Sequence, residues 1–265
     1  MSTALQRRLD VASAIVEEAG RKAMALRPEP GAAAAAKLKG RQDWLTEADG
    51  AVEAFISDAL AEAFPEDGFQ GEETGRGRTG ALRWVVDPID GTSNYARGAD
   101  RWCVSLGLIE ERTPLLGVIF APALHETFTA RHGAGAFRNG LPIHASTERD
   151  LTRAIVEVGW SPRRPLARFH RLLQGVMAQG AAVRLGGSGA LGLVDVAVGR
   201  SDAYVELHIN LWDVAAALAI LGEAGAWVSP FLEGSGLEAG NPILAAAPGV
   251  AGALAEAAGM AGWGA

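Results

Sequence analysis

The sequence contains a single cysteine, Cys103, so no disulfide can form within the chain. This scarcity fits a reducing compartment, and we expect a cytoplasmic protein. Cys103 lies in the strand-like run WCVSLGLI, where a lone thiol is usually a small core residue. We therefore do not expect a catalytic cysteine.

The chain also lacks a long apolar run and an excess of basic charge. Charged residues are scattered from Arg7 to Glu18, so the N-terminal stretch has no signal-peptide core. The apolar stretch PILAAAPGVAGALA is too short to span a membrane and is broken by Pro248 and Gly249. The formal net charge of -7 offers little positive surface for the phosphates of a nucleic acid. We expect no binding to membranes or nucleic acid.

What the sequence does contain is enough apolar residues, 49% of 265, for a sizeable core. Residues 5–26 have helical spacing, and a second helix is predicted from Thr46 to Pro65. Short apolar runs from RWVVD to GAFRNGLPI predict an antiparallel meander. Strand-like and helical segments then alternate, from AIVEVGW to the C-terminus. We predict an α+β half (residues 1–145) and an α/β half (residues 146–265) that share one cleft.

Acidic residues are concentrated at the ends of the predicted elements. They are Asp49, Glu72, Glu73, Asp87, Asp90 and Asp213. Two carboxylates about 4 Å apart repel by roughly 4 kcal/mol at an effective dielectric near 20, unless a positive charge lies between them. Mg²⁺ prefers a few carboxylates together with water and substrate phosphate, so these acids predict a magnesium site and phosphoryl transfer.

Taken singly, some of these acids have an ordinary structural explanation. Asp49 and Asp213 each lie near a predicted helix start, where a carboxylate favours the helix dipole. The segment DPID is harder to explain in this way. Pro88 has no backbone donor and holds Asp87 in an extended conformation, so Asp87 and Asp90 can face one site.

The motifs GEE, DPIDGTSN and LWDVAA, in that order, resemble those of the inositol monophosphatase family of lithium-sensitive, Mg²⁺-dependent phosphatases. The resemblance extends from KGRQDWLTEAD through GGSGA to AYVELHINLWD and so covers most of the chain. It implies an α/β (α+β) fold of the layered αβαβα type, a homodimer, and two to three Mg²⁺ ions per active site.

The resemblance also implies the metal ligands. Glu72, Asp87 and the carbonyl of Ile89 would hold one ion, and Asp87, Asp90 and Asp213 a second. A third, weaker ion would be held by Glu72, mostly through water. Asp87 would thus bridge two cations, which offset the repulsion between the acids.

The same resemblance assigns the catalytic groups. Thr92, paired with Asp49 and assisted by Glu72, would orient and deprotonate the attacking water. Metal ions lower the pKa of water and stabilise the leaving oxygen. The backbone N–H groups of Gly91 and Thr92 would hold the phosphate at a helix N-terminus.

Substrate contacts are assigned by resemblance to five residues: Asp90, Gly189, Ala190, Glu206 and Asp213. The turn GGSGA is equally typical of a tight helix entry without a ligand. Lys39 and Thr46 match a loop that lies over the metals, although a lysine is usually a solvated surface residue.

Two departures from the family pattern concern the substrate. His208 stands where inositol-type members commonly have Gly, and RGADRWCVSLGL lacks the HGFP-like turn. We expect hydrolysis of a small polyol phosphate, with inositol monophosphate ranked first and histidinol phosphate second. Fructose-1,6-bisphosphatase, phosphoadenosine-phosphate phosphatase and a non-catalytic partner-binding role follow. A haloacid-dehalogenase-type phosphatase is excluded because its nucleophile would fall at Pro88.

Overall fold

The computed structural model describes residues 2–28, 37–40 and 43–260. The sequence PEPGAAAAAKLKG (residues 28–40) is typical of a connector between two helices; its residues 29–36 lie outside the described ranges, and its end, Lys37–Gly40, forms a strand instead. Within the described ranges, the helices are α1 (Ser2–Ala25), α2 (Glu47–Ala63), α3 (Thr92–Ala96), α4 (Leu166–Ala178), α5 (Gly189–Ala197), α6 (Leu211–Glu223) and α7 (Ala251–Ala257).

Most of the strands form two large sheets. The first sheet contains β3 (Gly68–Gly71), β4 (Gly75–Arg76), β5 (Leu82–Asp90), β6 (Cys103–Glu110), β7 (Thr113–Ala121), β8 (Glu126–Arg131), β9 (Ala136–Arg138) and β10 (Leu141–Pro142). The second contains β11 (Ile155–Val158), β12 (Ala182–Arg184), β13 (Ala203–Ile209), β14 (Trp227–Val228) and β15 (Asn241–Ala246). A separate hairpin pairs β1 (Lys37–Gly40) with β2 (Asp43–Leu45).

The first sheet has the order β10-β9-β8-β7-β6-β5-β3-β4. From β5 to β10 every neighbouring pair is antiparallel, which confirms the predicted meander. Strand β3 was not predicted, because its sequence GFQG has two glycines and little β propensity. It pairs in parallel with β5, along Gly68–Gly71.

The second sheet has the order β12-β11-β13-β15-β14. Strand β11 is parallel to both β12 and β13, whereas β15 is antiparallel to β13 and β14. The predicted alternation of strands and helices is therefore confirmed, in a mixed sheet.

Three hydrophobic clusters define the layers. One joins α1 and α2 to one face of the first sheet. A second joins the other face to α5, α6 and the second sheet. The third joins the far face of the second sheet to α4 and α7. This succession confirms the layered αβαβα fold class, while the division at residue 145 remains a prediction. No helix in the described ranges has both the length and the hydropathy of a membrane span.

Helix α6 approaches the first sheet closely at two strand glycines. A Cβ at Gly107 would lie 2.7 Å from the Ala215 carbonyl carbon, and one at Gly117 would lie 2.1 Å from the Ala216 carbonyl oxygen. These glycines let the start of α6 lie directly on the sheet, and Asp213 belongs to that first turn.

We predict that Gly117→Ala lowers the free energy of unfolding by about 1–3 kcal/mol, since overpacking forces the helix away from the sheet. Gly222→Ala is the control: Gly222 lies in α6 itself, and a Cβ added there has no neighbouring atom within 4 Å. Helix propensity predicts that the control stabilises by up to about 1 kcal/mol. Urea unfolding measures both, and equal stability of the two variants would contradict this packing.

Candidate active site

Asp87 and Asp90 lie at the end of β5, where the pairing with β6 shifts register. The Ile89 N–H donates to Asp87 Oδ1 at 3.0 Å, which fixes the carboxylate across Pro88. Both aspartates are buried. The irregular backbone turns the carboxylates of these two residues toward one site, as DPID predicted.

Asp213 reaches the same place from the first turn of α6. It is the third residue of α6 and forms a capping box with the N-cap residue Asn210, whose N–H donates to Asp213 Oδ2 at 2.8 Å. The expectation that Asp213 lies at a helix start is thus confirmed. The same turn also places its carboxyl group beside the two acids of β5.

One carboxylate oxygen from each of Asp87, Asp90 and Asp213 lies within 4.8 Å of the others. Burial, followed by the charges of Glu72 and Asp90, raises the pKa of Asp87 and of Asp213 well above the usual range. Among the described residues no lysine or arginine forms an ion pair with any of the three. Hard oxygen donors that repel one another in a largely buried cluster fit a divalent cation such as Mg²⁺.

Asp90 is held by the N-terminus of α5. It accepts hydrogen bonds from the Ser188 hydroxyl and from the N–H groups of Ala190 at 3.0 Å and Gly189 at 3.2 Å. Burial raises the pKa of Asp90, and these hydrogen bonds oppose the rise. The backbone of Gly189 and Ala190 therefore contacts Asp90, and their contact with substrate remains a prediction.

Thr92 and Asp49 lie together, as the resemblance implied. Thr92 Oγ1 is 2.9 Å from the Ile89 carbonyl oxygen and 3.4 Å from Asp49 Oδ1. Asp49 Oδ2 accepts the N–H of Thr46 at 2.8 Å and its hydroxyl at 2.6 Å, in a capping box that starts α2. Thr46 therefore orients Asp49. Burial raises the pKa of Asp49.

Gly91 is the N-cap of α3 and has a φ of 86°. A Cβ there would lie 2.9 Å from the Arg101 carbonyl oxygen. Only glycine meets both conditions without strain. The turn places Gly91 and Thr92 on the wall of the cleft beside Asp90.

The GEE loop, which brings Glu72 to the cleft, is held in place by Glu53, a residue that the sequence analysis did not identify. The buried Glu53 accepts the N–H groups of Glu73 and Thr74, each at 2.8 Å. A Cβ at Gly71 would lie 2.3 Å from this carboxylate. Glu53 thus fixes the loop, and its position beside Val52 on the apolar face of α2 was the available signal.

The cleft has a volume of about 940 Å³, and its lining residues come from two parts of the sequence, between Trp44 and Asn94 and between Glu157 and Asp213. Glu206 lies in its wall, and the Tyr204 hydroxyl donates to Glu206 Oε2 at 2.6 Å. Burial raises the pKa of Glu206 to about 7.

His208 also lines the cleft. Its Nε2 is 2.9 Å from the Ala239 carbonyl oxygen, and its buried Nδ1 has no hydrogen-bond partner among the residues described. Burial lowers its pKa. The side chain of Lys39 lies outside what the structure describes.

Known proteins are similar to this chain in sequence. The model of the inositol monophosphatase family matches residues 4–260. The chain is 42% identical over 196 residues to Nus factor SuhB of Xylella fastidiosa, covering 73% of this chain and 71% of the relative. It is 40% identical over 214 residues to inositol monophosphatase 2 of Solanum lycopersicum, covering 76% and 78%.

Solved structures are similar over nearly the whole chain. The extragenic suppressor protein SuhB from Bartonella henselae matches with a TM-score of 0.85 and 30% identity, covering 95% of this chain and 98% of that one. Inositol monophosphatase from Anabaena matches with a TM-score of 0.79 and 31% identity, covering 96% and 95%.

We predict that Asp87→Asn raises the melting temperature of the chelator-treated protein, because it removes one charge from a repelling cluster while an amide oxygen still accepts the Ile89 N–H. Added Mg²⁺ should stabilise the wild type and leave the variant almost unchanged, since a ligand that binds only the folded state stabilises it. Differential scanning calorimetry measures both effects.

The exposed Glu62→Gln on α2 is the control, and it should behave as the wild type in both conditions. An Asp87→Asn protein that gains as much stability from Mg²⁺ as the wild type would remove Asp87 from the ion-binding group.

Proposed function

Because the chain belongs to the inositol monophosphatase family and is therefore a phosphoric monoester hydrolase, we propose that it uses Mg²⁺ to remove phosphate from a small polyol. The observation that carries this proposal is the group formed by the buried Asp87 and Asp90 and the half-buried Asp213. Their carboxylates repel one another without a cation. Asp90 and Asp213 line a cleft large enough for a phosphorylated metabolite.

The resemblance to the family assigns the ligands of the ions. Glu72, Asp87 and the Ile89 carbonyl would hold one Mg²⁺, and Asp87, Asp90 and Asp213 the second. Glu72 would hold a weaker third ion. When bound, these ions would lower the pKa of water and stabilise negative charge on the phosphate and the leaving oxygen.

The remaining chemistry belongs to side chains and backbone of this chain. The Thr92 hydroxyl would position the attacking water, and Asp49, beside it, would accept a proton through that hydroxyl. The N–H groups of Gly91 and Thr92 would donate to phosphate oxygens, because the first N–H groups of a helix have no partner inside it. Thr46 supports this arrangement by fixing Asp49.

Glu206 would face the part of the substrate beyond the phosphate, with Gly189 and Ala190 nearby. Its carboxyl group can accept hydrogen bonds from ring hydroxyls or pair with an ammonium group. Inositol 1-phosphate is the first candidate, given the names of the relatives. Histidinol phosphate is the second, favoured by Glu206 and by the extra polar group of His208. Fructose-1,6-bisphosphate and phosphoadenosine phosphate rank below these two candidates.

Partner binding is the competing function, since three bacterial relatives are named Nus factor SuhB. The complete set of acids favours catalysis. We also propose a cytoplasmic homodimer inhibited by Li⁺, with Li⁺ beside Asp90 and Asp213. Light scattering tests the dimer, and full phosphate release at high Li⁺ would count against that ion position.

We predict Mg²⁺-dependent phosphate release from a panel of phosphorylated metabolites that includes inositol 1-phosphate and histidinol phosphate. Asp213→Asn should lower kcat/KM for every substrate by more than about a hundredfold, since charge stabilisation by a metal ion is worth several kcal/mol. A wild-type protein that releases no phosphate from any of these compounds would favour the partner-binding role.

A separate prediction concerns the rank of the two leading substrates. Glu206→Gln keeps the shape of the side chain and removes its charge. If histidinol phosphate is the substrate, kcat/KM for it should fall by about tenfold, because a charge-assisted contact becomes a neutral one. For inositol 1-phosphate the change should be small. No change for either substrate would show that Glu206 does not touch the substrate.

A further inference from the structure

The segment RGADRWCVSLGL, which departs from the family pattern, contains an arginine that joins β11 to α5. Arg101 Nη2 donates to Glu157 Oε2 on β11 at 2.6 Å, and Arg101 Nη1 donates to Asp195 Oδ2 on α5 at 2.8 Å. Both carboxyl groups belong to buried residues, and Glu157 lies in the wall of the active-site cleft. One guanidinium group therefore fixes α5 relative to β11.

The backbone of the same arginine contacts the turn that begins α3. The Asn94 side-chain amide donates to the Arg101 carbonyl oxygen at 2.7 Å and to the Gly186 carbonyl oxygen at 3.0 Å. Arg101 thus contacts the α3 turn through its carbonyl group, and β11 and α5 through its side chain.

The GGSGA turn (residues 186–190) lies directly on the ion pair of Arg101 and Glu157. A Cβ at Gly186 would lie 2.3 Å from Arg101 Nε and 2.3 Å from Glu157 Oε1. Gly187, the next residue, has a φ of 75°. Two consecutive glycines are conformationally free and have no side chains that could set the orientation of the turn. The orientation must therefore come from the ion pair on which the turn rests.

The orientation of this turn decides how Asp90 is held. The Ser188 hydroxyl and the N–H groups of Gly189 and Ala190 donate to its carboxylate. Asp90 is one of the three acids of the proposed cation site. Hydrogen bonds that orient a metal ligand matter for binding, and the loss of one typically lowers metal affinity by about 10–100-fold. The ion pair of Arg101 thus acts on Asp90 through the turn.

Stability alone does not explain these buried charges. Taking ions out of water costs free energy, and apolar residues of similar volume often stabilise a fold equally well. What an arginine adds is geometry, because its planar fork holds two carboxylates in fixed directions. The arrangement continues to the first sheet, since Arg200 pairs with Asp195 and with Glu126 on β8. These charges therefore fix positions across the layers.

We propose that Arg101 is a positioning residue for the cation site: it holds the GGSGA turn against Asp90 and so sets the affinity for Mg²⁺. This inference rests on the proposed Mg²⁺ chemistry of the same cleft. Because Arg101 acts through the turn, its substitution should weaken ion binding without removing any ligand of the ion.

The test is Arg101→Lys, which keeps the positive charge and removes the planar fork. A change in Mg²⁺ affinity then reports position and not charge. Titration calorimetry of the metal-free protein with Mg²⁺ should give a Kd about tenfold higher than that of the wild type. In phosphate release, the KM for Mg²⁺ should rise by a similar factor. The kcat at saturating Mg²⁺ should stay nearly unchanged, because every ligand is still present.

Arg8→Lys is the matched control. Arg8 donates to both carboxylate oxygens of the buried Asp67, each at 2.9 Å, so the substitution breaks a comparable fork on a buried acid. Neither Arg8 nor Asp67 lines the cleft. This variant should lose stability as Arg101→Lys does, but it should bind Mg²⁺ like the wild type.

Hydrogen exchange of the metal-free protein provides a measurement independent of the ion. Peptides that cover residues 186–191 should exchange about tenfold faster in Arg101→Lys than in the wild type or in Arg8→Lys, since a hydrogen bond to a charged group is worth about that factor. If this order holds but the wild type binds no Mg²⁺, the positioning of the turn stands and the proposed metal chemistry fails.

Two results would overturn the inference while leaving the phosphatase function intact. The first is an unchanged Kd for Mg²⁺ in Arg101→Lys together with a lower melting temperature, which would show that the ion pair only stabilises the fold. The second is an equal rise in Kd for Arg101→Lys and Arg8→Lys, which would show that the effect follows global stability.

Discussion

The repulsion among Asp87, Asp90 and Asp213 is the constraint on which the rest of the site depends. Three carboxyl groups, two of them buried and one half-buried, with oxygens within 4.8 Å of one another are unfavourable in isolation. The chain nevertheless holds each of them in place with backbone hydrogen bonds: from Ile89 to Asp87, from Gly189 and Ala190 to Asp90, and from Asn210 to Asp213. A fold that fixes mutually repelling carboxylates in this way is suited to binding a cation.

The layered architecture explains how these groups come together. Asp87 and Asp90 end a strand of the first sheet. Asp213 belongs to the first turn of α6, and the N–H groups that donate to Asp90 belong to the first turn of α5; both helices lie in the middle layer. Gly107 and Gly117 let α6 lie directly on the sheet, which brings its first turn to β5. The packing of one helix layer on one sheet therefore sets the geometry of the acids.

The sequence predicted the parts of the site that lie in short motifs. DPID and LWD each carry their acids within a few residues, so Asp87, Asp90 and Asp213 were found, and the resemblance supplied the fold class. Glu53 was missed because its contacts are with the N–H groups of Glu73 and Thr74, some twenty residues away. The contact of Ser188 with Asp90 was missed for the same reason, since it joins residues on different layers. Strand β3 was missed because tertiary pairing outweighs its weak local propensity.

The most direct test of this account is to locate the ions by anomalous diffraction from crystals soaked in Mn²⁺, which shares the oxygen-ligand preference of Mg²⁺. The account predicts two adjacent peaks that both contact the Asp87 carboxylate, one shared with the Ile89 carbonyl oxygen and one with Asp90 and Asp213. Peaks that do not touch Asp87, or ordered crystals at saturating Mn²⁺ without a peak among the three acids, would contradict it.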